Sequence, residues 1–329
     1  MATIARAGSP LTCLAVGQSG TRLYLIASNS SVSELARTAT GWRPASLSLS
    51  ALNNPMTCYG SDDSDILLYC VGTRAKIVQL FKYDSNWHPF TLQWHVAADS
   101  PVISIFANGF RLYYVGADRQ VHRLLTLAGT FSEAPVPPAE AAPGSGLTCT
   151  IDSRGLVRVF YVDATDHTLH VLAETDPADP DAMTNDAIKG TSPAPGSALT
   201  CFTREGTGSI RVYYLDHHGR ISEMAWSGDE QIVSPLVTAM PGSALASFAA
   251  GGLHTRLYYL DNQARINELA GTDDDWVNHR LAATAARGSA LTCYGVDGWW
   301  TRLYYLDPRH RVNELAWHPT TGNFVNTPL

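Results

Sequence analysis

Arginine and glutamate recur in this chain at a fixed interval of twelve residues, as Arg22/Glu34, Arg211/Glu223, Arg256/Glu268 and Arg302/Glu314. A guanidinium is a planar fork of hydrogen-bond donors, and a carboxylate offers acceptors. Side by side they satisfy adjacent hydroxyl groups, such as those of a sugar, which both give and accept hydrogen bonds. The even interval keeps both side chains on one face of a hairpin, and a tight turn centred near Pro308 sets Arg302 opposite Glu314. A structural reading competes, that of a salt bridge copied by duplication. An exposed cross-strand ion pair contributes only about 0.2–1 kcal/mol, so on that reading the pairs are dispensable.

Aromatic residues follow the glutamates. Trp226 and Trp317 come three residues after Glu223 and Glu314, and Trp42 and Trp276 come eight after Glu34 and Glu268. An indole can cover the apolar face of a sugar ring, or it can simply pack inside the fold. Trp299 and Trp300, just before Arg302, are further candidates. Three copies of the motif lack the pair: they carry Leu67 with Gln79, Arg111 with Arg123, and Arg158 with His170. Like charges at 111 and 123 repel. These three copies are expected to bind no sugar and to leave surface for a homodimer contact.

Other chemistries lack their residues. There is no GxSxG, HExxH or P-loop, and one constellation repeated several times suits multivalent binding better than catalysis. No catalytic residue, cofactor or metal ligand is assigned. His167 and His170 are three apart in a strand-like run, an odd interval that suits opposite faces. The acidic run Asp176–Asp181 lacks EF-hand spacing and reads as a surface loop. Five of the six cysteines, Cys13, Cys58, Cys149, Cys201 and Cys293, each follow a threonine. Without CxxC or HxxxH spacing they read as reduced, mostly buried thiols rather than metal ligands.

The elements that position these residues come from an internal repeat. TRLYLI at 21 recurs as ILLYCV at 66, FRLYYV at 110, VRVFYV at 157, IRVYYL at 210, TRLYYL at 255 and TRLYYL at 301, spaced 44 to 53 residues apart. A small-residue run such as GSALTC precedes most copies. A second strand-like run follows each, as in RISEMA and RVNELA. Four short strands in about 45 residues, repeated seven times, describe an all-β, seven-bladed β-propeller with four antiparallel strands per blade. The whole chain, 1–329, is then one domain, with approximate blades 8–52, 53–98, 99–142, 143–194, 195–240, 241–286 and 287–329. Since blade 7 adjoins blade 1, the four complete pairs occupy one continuous arc, blades 5, 6, 7 and 1.

Composition agrees with a turn-rich globular chain: 45% hydrophobic, 16% charged, 26 glycines and 18 prolines. The net charge of −7, without a basic cluster, gives no electrostatic footprint for nucleic acid. No apolar run is long enough for a membrane helix. The N-terminal MATIARAGSPLT lacks the apolar core of a secretory signal, so a cytoplasmic or non-classically secreted protein is expected.

The combination R-[LV]-Y-Y … I-x-E-x-x-W, complete in IRVYYLDHHGRISEMAW at 210–226, resembles the fungal fucose-specific lectins of the Aleuria aurantia lectin family. The resemblance covers essentially the whole chain, one repeat at a time. It implies that L-fucose or fucosylated glycans and glycoproteins are the partners, held between neighbouring blades. By the same resemblance Arg22, Arg211, Arg256 and Arg302 donate to sugar hydroxyls, Glu34, Glu223, Glu268 and Glu314 accept, and Trp42, Trp226, Trp276 and Trp317 stack. Two features depart from that family: its members typically have six blades, and their first strand often ends in tryptophan where this chain has cysteine. The scaffold also resembles fungal hetero-Diels–Alderases, so an enzyme or small-ligand binder is one alternative, and a protein-interaction scaffold is another.

Overall fold

A computed structural model describes residues 3–16, 20–52, 55–60, 65–83, 86–127, 130–228, 230–251, 254–272, 275–296, 300–318 and 320–329. The described residues form 28 β-strands and no helix, so no helix is long and apolar enough to cross a membrane. The strands make seven antiparallel sheets of four, each in sequence order. In blade 1 the strands are Leu11–Val16, Gly20–Ile26, Ser31–Thr38 and Gly41–Ser50. First strands of neighbouring blades pack on one another around the ring, including blade 7 on blade 1, which makes the protein a seven-bladed β-propeller.

Each blade is apolar on both faces, and alternate residues serve opposite neighbours. The core is accordingly seven clusters, one in each gap between blades. In blade 7, Tyr304 packs towards blade 1 and the next residue, Tyr305, towards blade 6. Buried serines fasten the blades from within. Ser9, Ser100, Ser145, Ser197, Ser243 and Ser289 each accept a backbone N–H from their own second strand at 2.8–2.9 Å. This is the work of the serine in the GSALTC-type runs.

The recurring Thr–Cys dipeptide links one blade to the next. The hydroxyl of Thr12 meets the Cys58 thiol at 3.4 Å, Thr148 meets Cys201 at 3.2 Å, and Thr292 meets Cys13 at 3.2 Å across the ring closure. Ser104 and Ser247 take the cysteine position in blades 3 and 6, bonded to Thr57 and Thr200 at 2.9 Å. All six cysteines are free. Cys70 is fully buried, and the other five, on the innermost strands, are half-buried. Loss of solvation pushes Cys13, Cys58, Cys70 and Cys201 up to about 12, so they remain neutral thiols.

In blades 5 and 7 the turn between the second and third strands is built on an aspartate. Asp307 Oδ1 accepts the backbone N–H groups of Arg309 and Arg311 at 2.8 and 2.9 Å, and Asp216 does the same for His218 and Arg220 at 2.9 Å. The turn closes on a residue in the left-handed region, His310 at φ 57° or Gly219 at φ 72°. Burial alone would raise the Asp307 carboxyl, but bonds from Arg311 and the turn amides outweigh it and hold it below its ordinary 3.8.

Two outcomes are expected. Cys201→Ser keeps the bond to Thr148, as the natural serines do, and leaves the urea midpoint nearly unchanged, whereas Cys201→Val loses it and costs about 1 kcal/mol. A carboxyl lowered on folding stabilises the fold above its unfolded value, and that contribution is lost as pH falls through its folded value. The melting temperature should therefore drop between about pH 4 and pH 2, and Asp307→Asn should make that drop shallower.

Candidate ligand-binding clefts

The register of the hairpins revises the arginine–glutamate geometry. Glu314 stands opposite Tyr304, and Arg302 opposite Ala316, so arginine and glutamate are diagonal neighbours on one face rather than a facing pair. Blades 1, 5 and 6 share this register, with Tyr24 opposite Glu34, Tyr213 opposite Glu223 and Tyr258 opposite Glu268. The turn is centred one residue later than the sequence suggested. The tyrosine is a site residue that sequence reasoning missed. Its hydroxyl donates to the glutamate at 3.1 Å in blade 1, 2.8 Å in blade 5, 2.5 Å in blade 6 and 2.9 Å in blade 7. Burial first, and the carboxylate second, push all four phenols well above their ordinary value, so each stays a donor.

The ion pairs sit deeper than a surface bridge. Glu34, Glu223, Glu268 and Glu314 are only 3–6% exposed. Arg302 Nη1 lies 2.5 Å from Glu314 Oε1, Arg256 Nη1 3.1 Å from Glu268 Oε2, and Arg211 Nε 3.7 Å from Glu223 Oε1. In blade 7 both Tyr304 and Arg302 engage Oε1, and Glu314 Oε2 has no hydrogen bond among the described residues. That oxygen can accept from a ligand. Arg22 is buried on the same face as Tyr24 and Glu34.

The tryptophans do not join the glutamates that precede them in sequence. Each packs against the preceding blade. Trp42 meets Tyr304 edge to face at 5.8 Å, placing it with Arg302 and Glu314. Trp276 meets Tyr213 at 6.1 Å, with Arg211 and Glu223. Trp317 lines a cleft of about 480 Å³ with Arg256 and Glu268, together with Phe324, Thr301 and Asn323. Trp226 faces Arg158, whose guanidinium carbon lies 5.6 Å from the indole centroid. The wall for Arg22 and Glu34 is Trp87, absent from the sequence candidates, which meets Tyr24 at 5.8 Å. The signal was present: Glu314 and Trp317 are an odd number of residues apart, so their side chains leave opposite faces of the strand. Trp299 lies outside the described residues.

The three incomplete copies differ from one another. In blade 4 the turn is one residue longer, so Phe160 faces Val171, and His170 faces Tyr161 instead of standing at the glutamate position. Arg158 is held by Asp152 at 2.7 Å and by the carbonyl of Glu174 at 2.6 Å. In blade 3, Arg111 faces Leu125 and Arg123 faces Tyr113. The expected repulsion between the arginines is neutralised from the next blade. Glu174, 1% exposed, lies 2.7 Å from Arg111 Nε and 3.8 Å from Arg123 Nη1. Asp181, from the acidic run read as a surface loop, reaches Arg123 Nη2 at 2.6 Å. Glu174 takes the strand position that Trp226 and Trp317 occupy in blades 5 and 7, so this cleft is filled from within.

No protein-family model matches the chain, and no curated protein matches it. Solved structures do. SapL1 lectin in complex with alpha methyl fucoside is 20% identical, with TM-score 0.62, covering 81% of this chain and 92% of that one. AofleA from Arthrobotrys oligospora is 13% identical, with TM-score 0.65, covering 99% and 88%. The Aleuria aurantia lectin, a six-bladed propeller, is 15% identical, with TM-score 0.62, covering 99% and 96%. What is shared is the fold.

Removing Glu174 should expose the cost of two buried guanidinium groups without their common carboxylate. Glu174→Ala is expected to lower stability by about 3 kcal/mol, read from urea unfolding.

Proposed function

We propose that this protein is a multivalent lectin that binds L-fucose or fucosylated glycans in four clefts, between blades 1 and 2, 5 and 6, 6 and 7, and 7 and 1. The observation that carries this reading is the cleft between blades 6 and 7. There a donor fork, Arg256, and an acceptor, Glu268, stand on one wall, and Trp317 lines the same cavity from the other blade. A 6-deoxy sugar presents adjacent hydroxyls to the ion pair and a ring face and methyl group to the indole. Trp87, Trp276 and Trp42 supply the corresponding wall in the other three clefts. The named ligand of SapL1 lectin, alpha methyl fucoside, supports fucose as the sugar.

Each site is shallow and makes few contacts, so a single cleft should bind with a dissociation constant of about 10 μM to 1 mM. Affinity for a glycan-bearing surface then comes from several clefts acting together. The tryptophans are the right residues to change. They are partly exposed, whereas truncating a buried glutamate would also leave a buried tyrosine hydroxyl without its acceptor.

Titration calorimetry with free L-fucose should show wild type binding at several equivalent sites. Trp317→Ala should lose one site from the stoichiometry, and the combined Trp42, Trp87, Trp276 and Trp317 to alanine variant should give no heat while still melting cooperatively. A wild-type protein that neither releases heat with fucose nor is competed from fucosylated surfaces ends the lectin reading.

A further inference from the structure

A large cleft lies in the gap where both residues of the motif pair are replaced. Between blades 2 and 3 a cleft of about 1080 Å³ opens, more than twice the volume of the cleft between blades 6 and 7. Leu67 stands at the arginine position and Gln79 at the glutamate position, opposite Phe81 and Tyr69 respectively. Phe131 of blade 3 takes the aromatic wall position, edge to face with Tyr69 at 6.1 Å. Phe90 and Trp94, from the fourth strand of blade 2, extend the apolar lining outward.

These changes invert the chemistry of the cleft. Leu67 removes the donor fork, and Phe81 beside it is 38% exposed. A sugar here would meet no guanidinium and no carboxylate at Leu67 and Gln79, and would set hydroxyls against the hydrocarbon of Leu67, Phe81 and Phe131. Two charged side chains, Asp65 and Lys82, also line the cleft, and neither is without a partner in the protein. Neutral polar side chains line the cleft as well, Gln79 together with Thr91, Gln93 and Thr130. Gln79 Nε2 donates to the Tyr69 hydroxyl at 3.1 Å, and its amide oxygen has no hydrogen bond among the described residues. Exposed aromatic surface in a concavity of ligand size marks a binding site rather than ordinary surface.

We infer that the cleft between blades 2 and 3 binds a neutral, ring-bearing apolar small molecule carrying a hydroxyl or N–H that donates to Gln79. The rings lie between Phe131 and the Leu67–Phe81 wall. The donor fixes orientation through the Gln79 amide oxygen. This site is independent of the sugar clefts: it uses none of their residues and would stand if the lectin reading fell.

The test uses the full chain and the neutral fluorophore N-phenyl-1-naphthylamine, an aromatic body with one N–H. Its emission should rise saturably at one site per chain. Restoring the motif with Leu67→Arg and Gln79→Glu together should weaken binding about tenfold or more. Phe90, 58% exposed, contributes little to the core; Phe90→Ser should also weaken binding without moving the melting temperature, which guards against a folding artefact in the double variant. Excess L-fucose should not displace the probe, and Trp317→Ala should leave its binding unchanged. Binding that is non-saturating, insensitive to both cleft variants or displaced by fucose overturns the inference. So does a dimer by sedimentation that excludes the probe, because the aromatic patch would then belong to a second copy.

Discussion

Every blade of this ring is buried on both faces, and that constraint governs the rest. A strand residue answers either to the preceding blade or to the following one, according to its parity. Tyr304 and Glu314 answer to blade 1, and Tyr305 and Trp317 to blade 6. No blade therefore owns a cleft. One blade supplies the polar floor, and its successor supplies the aromatic wall. The hydrophobic core obeys the same division, as seven small clusters rather than one.

The fold was legible because the repeat is written in strand-length runs of aromatic and β-branched residues, each followed by turn chemistry such as Asp307–Pro308. Blade number followed from counting. The composition of the clefts was harder to read. The register of the second hairpin depends on where the left-handed turn residue falls, His310 or Gly219, and a shift of one position replaced Arg–Glu facing pairs by Tyr–Glu ones. In blade 4 a single extra turn residue moved His170 away from the glutamate position. Neighbouring blades also stayed invisible to a reading made within each repeat. That is why Trp226 was attached to Glu223 rather than Arg158, and why Glu174, in a different blade from Arg111 and Arg123, was not seen to neutralise them.

The clefts show how one duplicated unit diversifies without disturbing its frame. The serine bonds and Thr–Cys contacts belong to the inner strands and persist around most of the ring. The residues that vary lie farther out, at the ends of the second and third strands and along the fourth. An ion pair with tyrosine becomes Leu67 and Gln79 in one gap, and a closed Arg–Glu–Arg cluster in another. Each change is absorbed locally because a cleft touches only two blades.

The ring closure has a mechanical consequence. A linear stack of repeats has two end units, each with one face unpaired, and such ends fray before the middle. Here the thiol of Cys13 meets Thr292, and the Thr3 amide donates to the Leu329 carbonyl at 2.7 Å, so blade 7 rests on blade 1 as any blade rests on its neighbour. The circle has no terminal repeat from which melting could begin. Opening any one gap gives up a cluster that both flanking blades need, and this ties the survival of each cleft to that of all seven blades.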